Sequence, residues 1–276
     1  MERIEQIERT EGELQTHSRS YALASVAQQA FVVILVIALF LLAWEIVAQV
    51  QNVPTFFLPK PSDIARRFVT AWGEGTLRYH VAVTWSEALV AFAIAFAGSS
   101  VLGYVLAKSR RLEQIVSPFI IASQSLPIFA IAPFVLIIFG NGFWSNAMMG
   151  ALVAFFPMLV NMIAALRNIS PDQREVLRSY AATSRQVFSK LEVPAILPYV
   201  FGSVRVGITL SVIGVLVVEL FWADRGIGFL LNFARGQFDT PLLFAGILAL
   251  ILMNLIMYGI IAILEYVCMP WRHAAQ

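Results

Sequence analysis

Six long apolar stretches dominate this sequence and limit the folds open to it. Each is about 20 residues or longer, the length that an α-helix needs to cross the hydrocarbon core of a bilayer. Charged residues make up only 13% of the chain, against roughly 25% in a typical soluble domain. We therefore predict an all-α integral membrane protein with six transmembrane helices, at residues 30–50, 83–107, 115–139, 143–166, 199–221 and 242–267.

Positive charges are divided unequally between the two sides that six spans create. Of the nineteen Lys and Arg residues, six lie in loops on one side. The other thirteen lie on the side of the termini or, for Arg205, within a predicted span. Because Lys and Arg are enriched in cytoplasmic loops, we predict that both termini are cytoplasmic. Residues 1–20, with five glutamates, are predicted to form a polar tail, and residues 21–276 the transmembrane domain.

Several classes of function are excluded by residues that the sequence lacks. Cys268 is the only cysteine, and His17, His80 and His273 lie far apart, so neither a disulfide framework nor a metal-ligand cluster is predicted. No glycine-rich phosphate-binding sequence is present. The formal charge of +2 is too small to indicate nucleic acid. We predict a chain that is not itself an enzyme, has no cofactor of its own, and takes its energy from another polypeptide.

A polar segment at residues 167–192 separates the fourth and fifth spans and contains eight charged residues. A helix-start pattern, Ser-Pro-Asp-Gln, begins at Ser170, and a second, Thr-Ser-Arg-Gln, begins at Thr183. The patterns predict two short helices joined by a bend, the second ended by Pro194. Such a loop either rests on its own bundle or presents a helix to a groove in a cytoplasmic partner.

This segment resembles the motif that marks the membrane subunits of binding-protein-dependent ABC importers. That motif reads Glu-Ala-Ala, three residues, Gly, nine residues, Ile-x-Leu-Pro; this chain has Glu-Val-Leu from Glu175 and Leu-Glu-Val-Pro up to Pro194. The resemblance implies a coupling loop at 167–197 that docks a dimer of cytoplasmic ABC ATPases, which bind ATP and Mg. The residues predicted to couple are Glu175, Arg178, Tyr180, Ala181, Arg185, Val187, Phe188, Leu191 and Pro194.

Ala181 stands where the motif has glycine. Glycine has no Cβ and adopts positive φ at little cost, so an alanine in the same conformation would be strained by about 1 kcal/mol. Either the bend of this loop has a different shape, or it is maintained under strain.

The resemblance extends to a subfamily of permeases that serve nitrate, sulfonates, taurine, and pyrimidine or riboflavin-type nutrients. It implies an importer permease fold in the bacterial inner membrane, a second permease copy forming a homodimer, and an extracytoplasmic substrate-binding protein. Two segments are more similar to the thiamine-precursor pyrimidine branch, Ser-Gln-Ser-Leu-Pro at 123–127 and Gln-Phe-Asp-Thr at 237–240. The other matching segments are 58–62, 132–134, 139–140, 155–157 and 226–229.

The polar residues of the predicted spans favour an uncharged cargo. Spans two, three and four contain no Lys or Arg in their interiors, whereas an anion path is expected to present a cation. An amide beside aromatic rings suits a small, flat heterocycle, although aromatic rings also pack against lipid or neighbouring helices. The residues predicted to line the path are Ser123, Gln124, Pro127, Phe129, Phe155 and Glu219.

Alternatives to this hypothesis remain open. The cargo could be a sulfonate, taurine or nitrate. Glu45, Glu87 and Glu219 could serve a proton-coupled secondary transporter, or be interfacial acids satisfied by arginine or water. The chain could also be a membrane anchor for a soluble enzyme. The sequence favours a permease subunit of an ATP-driven ABC importer for a pyrimidine or thiamine precursor.

Overall fold

The computed structural model describes residues 28, 31–50 and 54–270, so the predicted polar tail lies outside the described residues. Every regular element in the described part of the chain is a helix, which confirms the all-α class. The described residues form two compact units, which divide between Ala65 and Arg66. The helices are α1 (Phe31–Val50), α2 (Pro61–Gly73), α3 (Thr76–Lys108), α4 (Arg110–Gln124), α5 (Ile128–Phe139), α6 (Phe143–Arg167), α7 (Pro171–Ser179), α8 (Ser184–Val187), a π-helical turn (Phe188–Glu192), α9 (Val193–Phe221), α10 (Ile227–Gly236) and α11 (Thr240–Cys268).

In the first unit, Glu45 near the end of α1 holds the beginning of α2. Its carboxylate accepts hydrogen bonds from the Ser62 amide at 3.0 Å and from the Ser62 hydroxyl at 2.8 Å. An acidic group at a helix N-terminus satisfies free N–H groups and is favoured by the helix dipole. This membrane-level carboxylate therefore has a structural role in starting α2.

The third predicted span is broken into α4 and α5, which meet at an angle of 103°. At one end of the bundle, Glu113 of α4 pairs with Arg167 at the end of α6. At the other end, the Asn141 side-chain amide, just after α5, donates to the carbonyl of Trp222 at 2.8 Å. The broken pair therefore extends along the whole of α6. Counted as one span, it makes six candidate spans together with the five long apolar helices, in agreement with the prediction.

Helix α6 lies at the centre of the second unit and packs closely against α3 and α9. A Cβ added at Gly150 of α6 would lie 2.7 Å from the Ser211 carbonyl oxygen, and one added at Gly214 of α9 would lie 2.6 Å from the Gly150 Cα. The two backbones are thus in contact, a form of packing that small residues permit in membrane helices. The buried core around this contact includes Ala88, Ala91, Ala95, Ala151, Ala154, Met158, Ile208, Val212, Val215, Met253 and Met257.

Arg205, the cation within the predicted fifth span, is paired with Glu265 of α11. Its guanidinium also lies over the ring of Tyr258, 4.9 Å from the ring centroid. Opposite charges and a ring face lower the cost of a cation at this depth. The charge therefore joins α9 to α11.

Pro194 does not end the second helix of the polar segment, and that prediction is wrong. The helix continues from Ser184 to Phe221 through the π-helical turn. Proline lacks an N–H and its ring crowds the carbonyl four residues earlier, which normally breaks an α-helix. Here the preceding turn is widened, with the Val193 amide bonded to the Phe188 carbonyl five residues back. Pro194 consequently sits in the first turn of α9.

Candidate functional site

A cavity of about 490 Å³ lies where α4 and α5 break, against α6 and α9. Ser123 and Gln124 contribute its polar edge, and Phe156 contributes a ring. Volumes of about 300–1,000 Å³ are usual for small-molecule sites. The remaining lining residues are apolar: Leu126, Ile128, Ile131, Leu152, Val153, Pro157 and Leu210.

Pro127 causes the break that opens this cavity. It cannot donate a hydrogen bond, and it disfavours helical geometry at the residue before it. Helix α4 therefore ends at Gln124, and Pro127 precedes α5 with φ −62° and ψ 125°. The hydroxyls of Ser123 and Ser125 donate to carbonyls one turn earlier, at 2.7 and 3.3 Å. The break thus leaves the Gln124 side chain at the cavity edge.

The other predicted path residues lie in different surroundings. Phe129 is exposed and makes an edge contact with Phe221, with ring centroids 5.8 Å apart. Phe155 lines a separate cavity of about 210 Å³ between α3, α5 and α6, while its neighbour Phe156 lines the larger one. Glu219 is 1% exposed and bonded to Thr84 at 2.7 Å. The structure thus brings Ser123 and Gln124 together with Phe156, and their role in transport stays a prediction.

The polar segment forms the two capped helices that the sequence predicts. The hydroxyl of Ser170 accepts from the Asp172 amide at 3.3 Å and starts α7. Thr183 and Gln186 form a reciprocal capping box at the start of α8, with bonds of 2.8 and 3.4 Å. Such caps satisfy amides that have no partner within the helix. The chain is therefore bent between the short helix α7 and the capped start of α8, from which the helix continues to Phe221.

Ala181 occupies the bend in a left-handed conformation, with φ 51°. The Ala182 amide donates to the Leu177 carbonyl at 3.0 Å, and the Ala181 amide donates to Arg178 at 2.9 Å. This pair of bonds is the Schellman ending, in which the left-handed position is usually glycine. Of the two possibilities raised by the sequence, the bend has the glycine-type shape and alanine maintains it under strain.

Side chains on α7 and the bend point away from the bundle. Tyr180 is 81% exposed and Val176 is 56% exposed. Glu175, Arg178 and Arg185 are exposed as well. An aromatic and an aliphatic side chain among charges is the composition expected of a surface that binds another protein.

The predicted apolar face, Val187, Phe188 and Leu191, lies at the end of α8 and in the π-helical turn, and the bundle covers part of it. Val187 and Leu191 are half-buried, and Leu191 packs beside Met162 and Ala165. Phe188 is 43% exposed and makes an edge contact with Tyr104 at the end of α3. These residues attach the loop to its own bundle, so the exposed surface is centred on α7.

Residues 99–266 match the family described as the binding-protein-dependent transport system inner membrane component. That range is more than half of the chain. The chain belongs to this family. It is therefore a permease subunit of an ABC importer and not an enzyme, as the sequence predicts.

The relatives of this permease are named for different transported molecules. It is 37% identical to the riboflavin transport system permease protein RibX of Chloroflexus aurantiacus, over 85% of this chain and 87% of the relative. It is 32% identical to the formylaminopyrimidine transport permease protein ThiX of Halalkalibacterium halodurans, over 83% and 91%. The taurine permease TauC of Escherichia coli is 24% identical, over 87% and 89%. The predicted subfamily is confirmed.

The fold of the permease also matches a solved importer. A chain from the MetNI methionine ABC transporter, solved in inward-facing conformations, aligns with a TM-score of 0.60. The alignment covers 68% of this chain and 94% of that chain, at 17% identity. At this identity the match shows the fold alone, and it confirms the predicted importer permease fold.

Glu192 joins the polar segment to the bundle, and it was not identified from the sequence. Its side chain is 1% exposed. Lys108 Nζ lies 2.5 Å and Arg174 3.4 Å from its carboxylate, and the Tyr104 hydroxyl donates to it at 3.2 Å. These partners belong to α3 and α7, far apart in sequence. No local sequence pattern predicts the π-helical turn that buries Glu192. The nearby Pro194 is consistent with such a turn, but it does not specify one.

We expect Ala181→Gly to stabilise the permease. Glycine adopts the left-handed bend without a Cβ penalty, which should raise the free energy of unfolding by about 1 kcal/mol, less the greater freedom of glycine in the unfolded chain. Denaturation in detergent micelles measures the change. Ala182→Gly is the matched control and should destabilise, because Ala182 has no positive φ to relieve. Equal effects of the two variants would contradict the strained bend.

We expect Glu192→Gln to lower the free energy of unfolding by about 1 to 3 kcal/mol, because Lys108 and Arg174 lose their charged acceptor. Combined with Lys108→Met, the double-mutant cycle should give a coupling energy of about 1 kcal/mol, since Lys108 is 41% exposed. The exposed pair Asp224 and Arg225 is the control, with less than about 0.5 kcal/mol expected. Additive effects of the two substitutions would show that the contact between Glu192 and Lys108 does not contribute to the free energy of unfolding.

Proposed function

We propose that this permease forms the path for a small, flat and uncharged heterocycle of the pyrimidine or flavin type. An extracytoplasmic binding protein delivers the cargo. A dimer of cytoplasmic ABC ATPases docks on the coupling loop, and two copies of this chain form the path. The complex lies in the bacterial inner membrane with both termini of the chain in the cytoplasm.

The observation that carries the proposal is the lining of the 490 Å³ cavity. An amide, a hydroxyl and a phenyl ring are its distinctive groups, contributed by Gln124, Ser123 and Phe156. None of the described residues that line it is charged. An amide both donates and accepts, and so pairs with the edge of a heterocycle, while a ring contacts its face. A sulfonate or nitrate would find no compensating cation in this lining.

The relatives support the same class of cargo. The riboflavin and formylaminopyrimidine permeases are 37% and 32% identical to this chain. The taurine and aliphatic sulfonate permeases are 24% to 27% identical. Riboflavin and formylaminopyrimidine both contain a six-membered ring with two nitrogens and hydrogen-bonding edges. The common chemistry of the two more similar relatives thus fits an amide and an aromatic ring.

A homodimer would complete the cavity. One copy supplies walls from α4, α5, α6 and α9, and the remaining side is open. Neighbouring residues on α5 are apolar and largely exposed, including Phe134, Ile137 and Ile138. A second copy would cover that face and present its own amide across the path.

The charge distribution supports a cytoplasmic position for the coupling loop. Lys108 and Arg174 meet at Glu192, and Arg167 pairs with Glu113, so these basic residues gather at one end of the bundle. Clusters of Lys and Arg at span ends favour the cytoplasmic side. The exposed α7 surface is then on the side where an ATPase would bind.

Uptake into vesicles tests the proposal. Vesicles containing the permease with its ATPase and binding protein should accumulate a pyrimidine or flavin when ATP is supplied to the ATPase side. Gln124→Ala should reduce uptake about tenfold, because a polar edge of the cargo loses its partner, while exposed Glu74→Gln should not. ATP-driven uptake of only sulfonates or nitrate would refute the cargo class. Uptake driven by a proton gradient without ATP would instead support the secondary transporter.

Docking is tested by Tyr180→Asp. The ring is 81% exposed, so the substitution should leave the fold intact, and a charge in place of a ring should weaken ATPase binding about tenfold or more. Copurification and ATP-driven uptake measure the effect. Phe188 is a less clean target because it also contacts Tyr104.

Tyr180→Phe is the matched control for docking, since it retains the ring and should retain uptake. Loss of binding in both variants would assign the interaction to the hydroxyl rather than to the ring. Normal binding by Tyr180→Asp would refute docking at this position.

A further inference from the structure

A buried polar network joins the turn between α9 and α10 to α3 and α6. Thr84 and Glu87 come from α3, Asn146 from α6 and Glu219 from α9. Each of the four residues is at most 1% exposed. Buried polar groups must find partners because water does not reach them. The direction of each hydrogen bond therefore constrains where the protons lie.

The bonds around Glu219 identify it as an acceptor at both oxygens. The Ile227 amide donates to the Thr84 hydroxyl oxygen at 2.8 Å, which leaves the Thr84 proton to be donated to Glu219 Oε1 at 2.7 Å. The Gly228 amide donates to Glu219 Oε2 at 2.8 Å. Gly228 lies in the first turn of α10, where the helix dipole also favours negative charge. Glu219 therefore has the environment of a carboxylate.

Glu87 has the opposite environment. Its Oε2 accepts from the Asn146 amide at 2.9 Å. Its Oε1 is buried and has no hydrogen-bond partner among the described residues. Thr84, one turn before Glu87 on the same helix, donates to Glu219, so the carboxyl groups of Glu87 and Glu219 lie in the same buried cluster. Two adjacent carboxylates that are both buried would repel each other strongly. A proton at Oε1 removes that repulsion and makes the atom a donor.

We propose that Glu87 and Glu219 bind a single proton, which resides on Glu87. The resulting pair of carboxylic acid and carboxylate fastens the α9–α10 turn to α3. Protonation forms one O–H bond on Glu87 and breaks one O–H bond of a hydronium ion, which is left as water. The proposed site is independent of the cargo and of ATPase docking.

Other titratable groups near the pair do not replace this proton. His80 lies on α3, one turn before Thr84, and its Nδ1 accepts from the Gly226 amide at 3.1 Å. That nitrogen is consequently unprotonated. Asp224 and Arg225 lie in the exposed part of the turn, 3.5 Å apart, so that their opposite charges largely cancel. Glu87 and Glu219 thus remain the two groups between which the single proton is assigned.

The two glycines of the turn make this close approach possible. A Cβ at Gly226 would lie 2.1 Å from Glu219 Oε1, and one at Gly228 would lie 2.6 Å from the Glu219 Cβ. Gly226 also has φ 95°, which disfavours other residues. The Gly-Ile-Gly sequence therefore fits against Glu219 because it has no side chains at those two positions.

Glutamine substitutions distinguish the two members of the pair. In Glu87→Gln, the amide N–H₂ donates where the proposed O–H did, and the carbonyl still accepts from Asn146. In Glu219→Gln, the new N–H₂ group faces either the Thr84 hydroxyl or the Gly228 amide, both of which are donors. We expect Glu87→Gln to melt within about 2 °C of the wild type and Glu219→Gln at least about 5 °C lower. Equal falls, or a larger fall for Glu87→Gln, would overturn the proposal.

Infrared spectroscopy detects the proton directly. At neutral pH, ionised surface carboxylates do not contribute the carbonyl stretch of a protonated carboxyl group. The purified wild-type permease should show this band, sensitive to deuterium exchange, and Glu87→Gln should lose it. Glu74→Gln, at an exposed carboxylate, is the control and should retain it. A wild-type spectrum without the band, or a band that survives Glu87→Gln, would overturn the assignment even if Glu219→Gln fails to fold.

Discussion

The contact between the backbones of α6 and α9 positions the rest of the permease. Lipid offers little hydrophobic drive for helix association, so packing must come from close van der Waals contact. Gly150 and Gly214 allow that contact. Helix α6 leads directly into the polar segment, and α9 runs from that segment to the turn that contacts Glu219. The contact between α6 and α9 consequently positions the cavity at Gln124, the polar cluster around Glu192 and the polar cluster around Glu219.

A buried glutamate lies near each end of the bundle, and the two glutamates are stabilised in different ways. At the end that carries the polar segment, buried Glu192 is compensated by Lys108 and Arg174, whose own side chains remain partly exposed. At the opposite end, buried Glu219 is compensated by the Gly228 amide and by a hydroxyl. The first arrangement uses cations that remain in partial contact with solvent. The second fixes a turn by means of hydrogen bonds that do not require a cation.

Local patterns in the sequence predicted the features that depend on neighbouring residues. The lengths of the apolar runs predicted six candidate spans, and the caps at Ser170 and Thr183 predicted where α7 and α8 begin. Partners from distant helices were not predictable in this way. Burial of Glu192 depends on residues of α3 and α7, and the role of Pro194 depends on a π-helical turn. For the same reason, Phe156 rather than Phe155 lines the larger cavity, since their orientation is set by packing.

The break between α4 and α5 has a consequence for movement. A continuous helix resists bending because its hydrogen bonds must lengthen or break. At Pro127 the series of backbone hydrogen bonds along the helix is already interrupted. The hydroxyls of Ser123 and Ser125 bond to carbonyls within α4 rather than across the break. A change in the 103° angle therefore leaves the hydrogen bonds of both half-helices intact. A bend at this point costs side-chain contacts rather than backbone hydrogen bonds, so the width of the cavity beside Gln124 can vary without local unfolding.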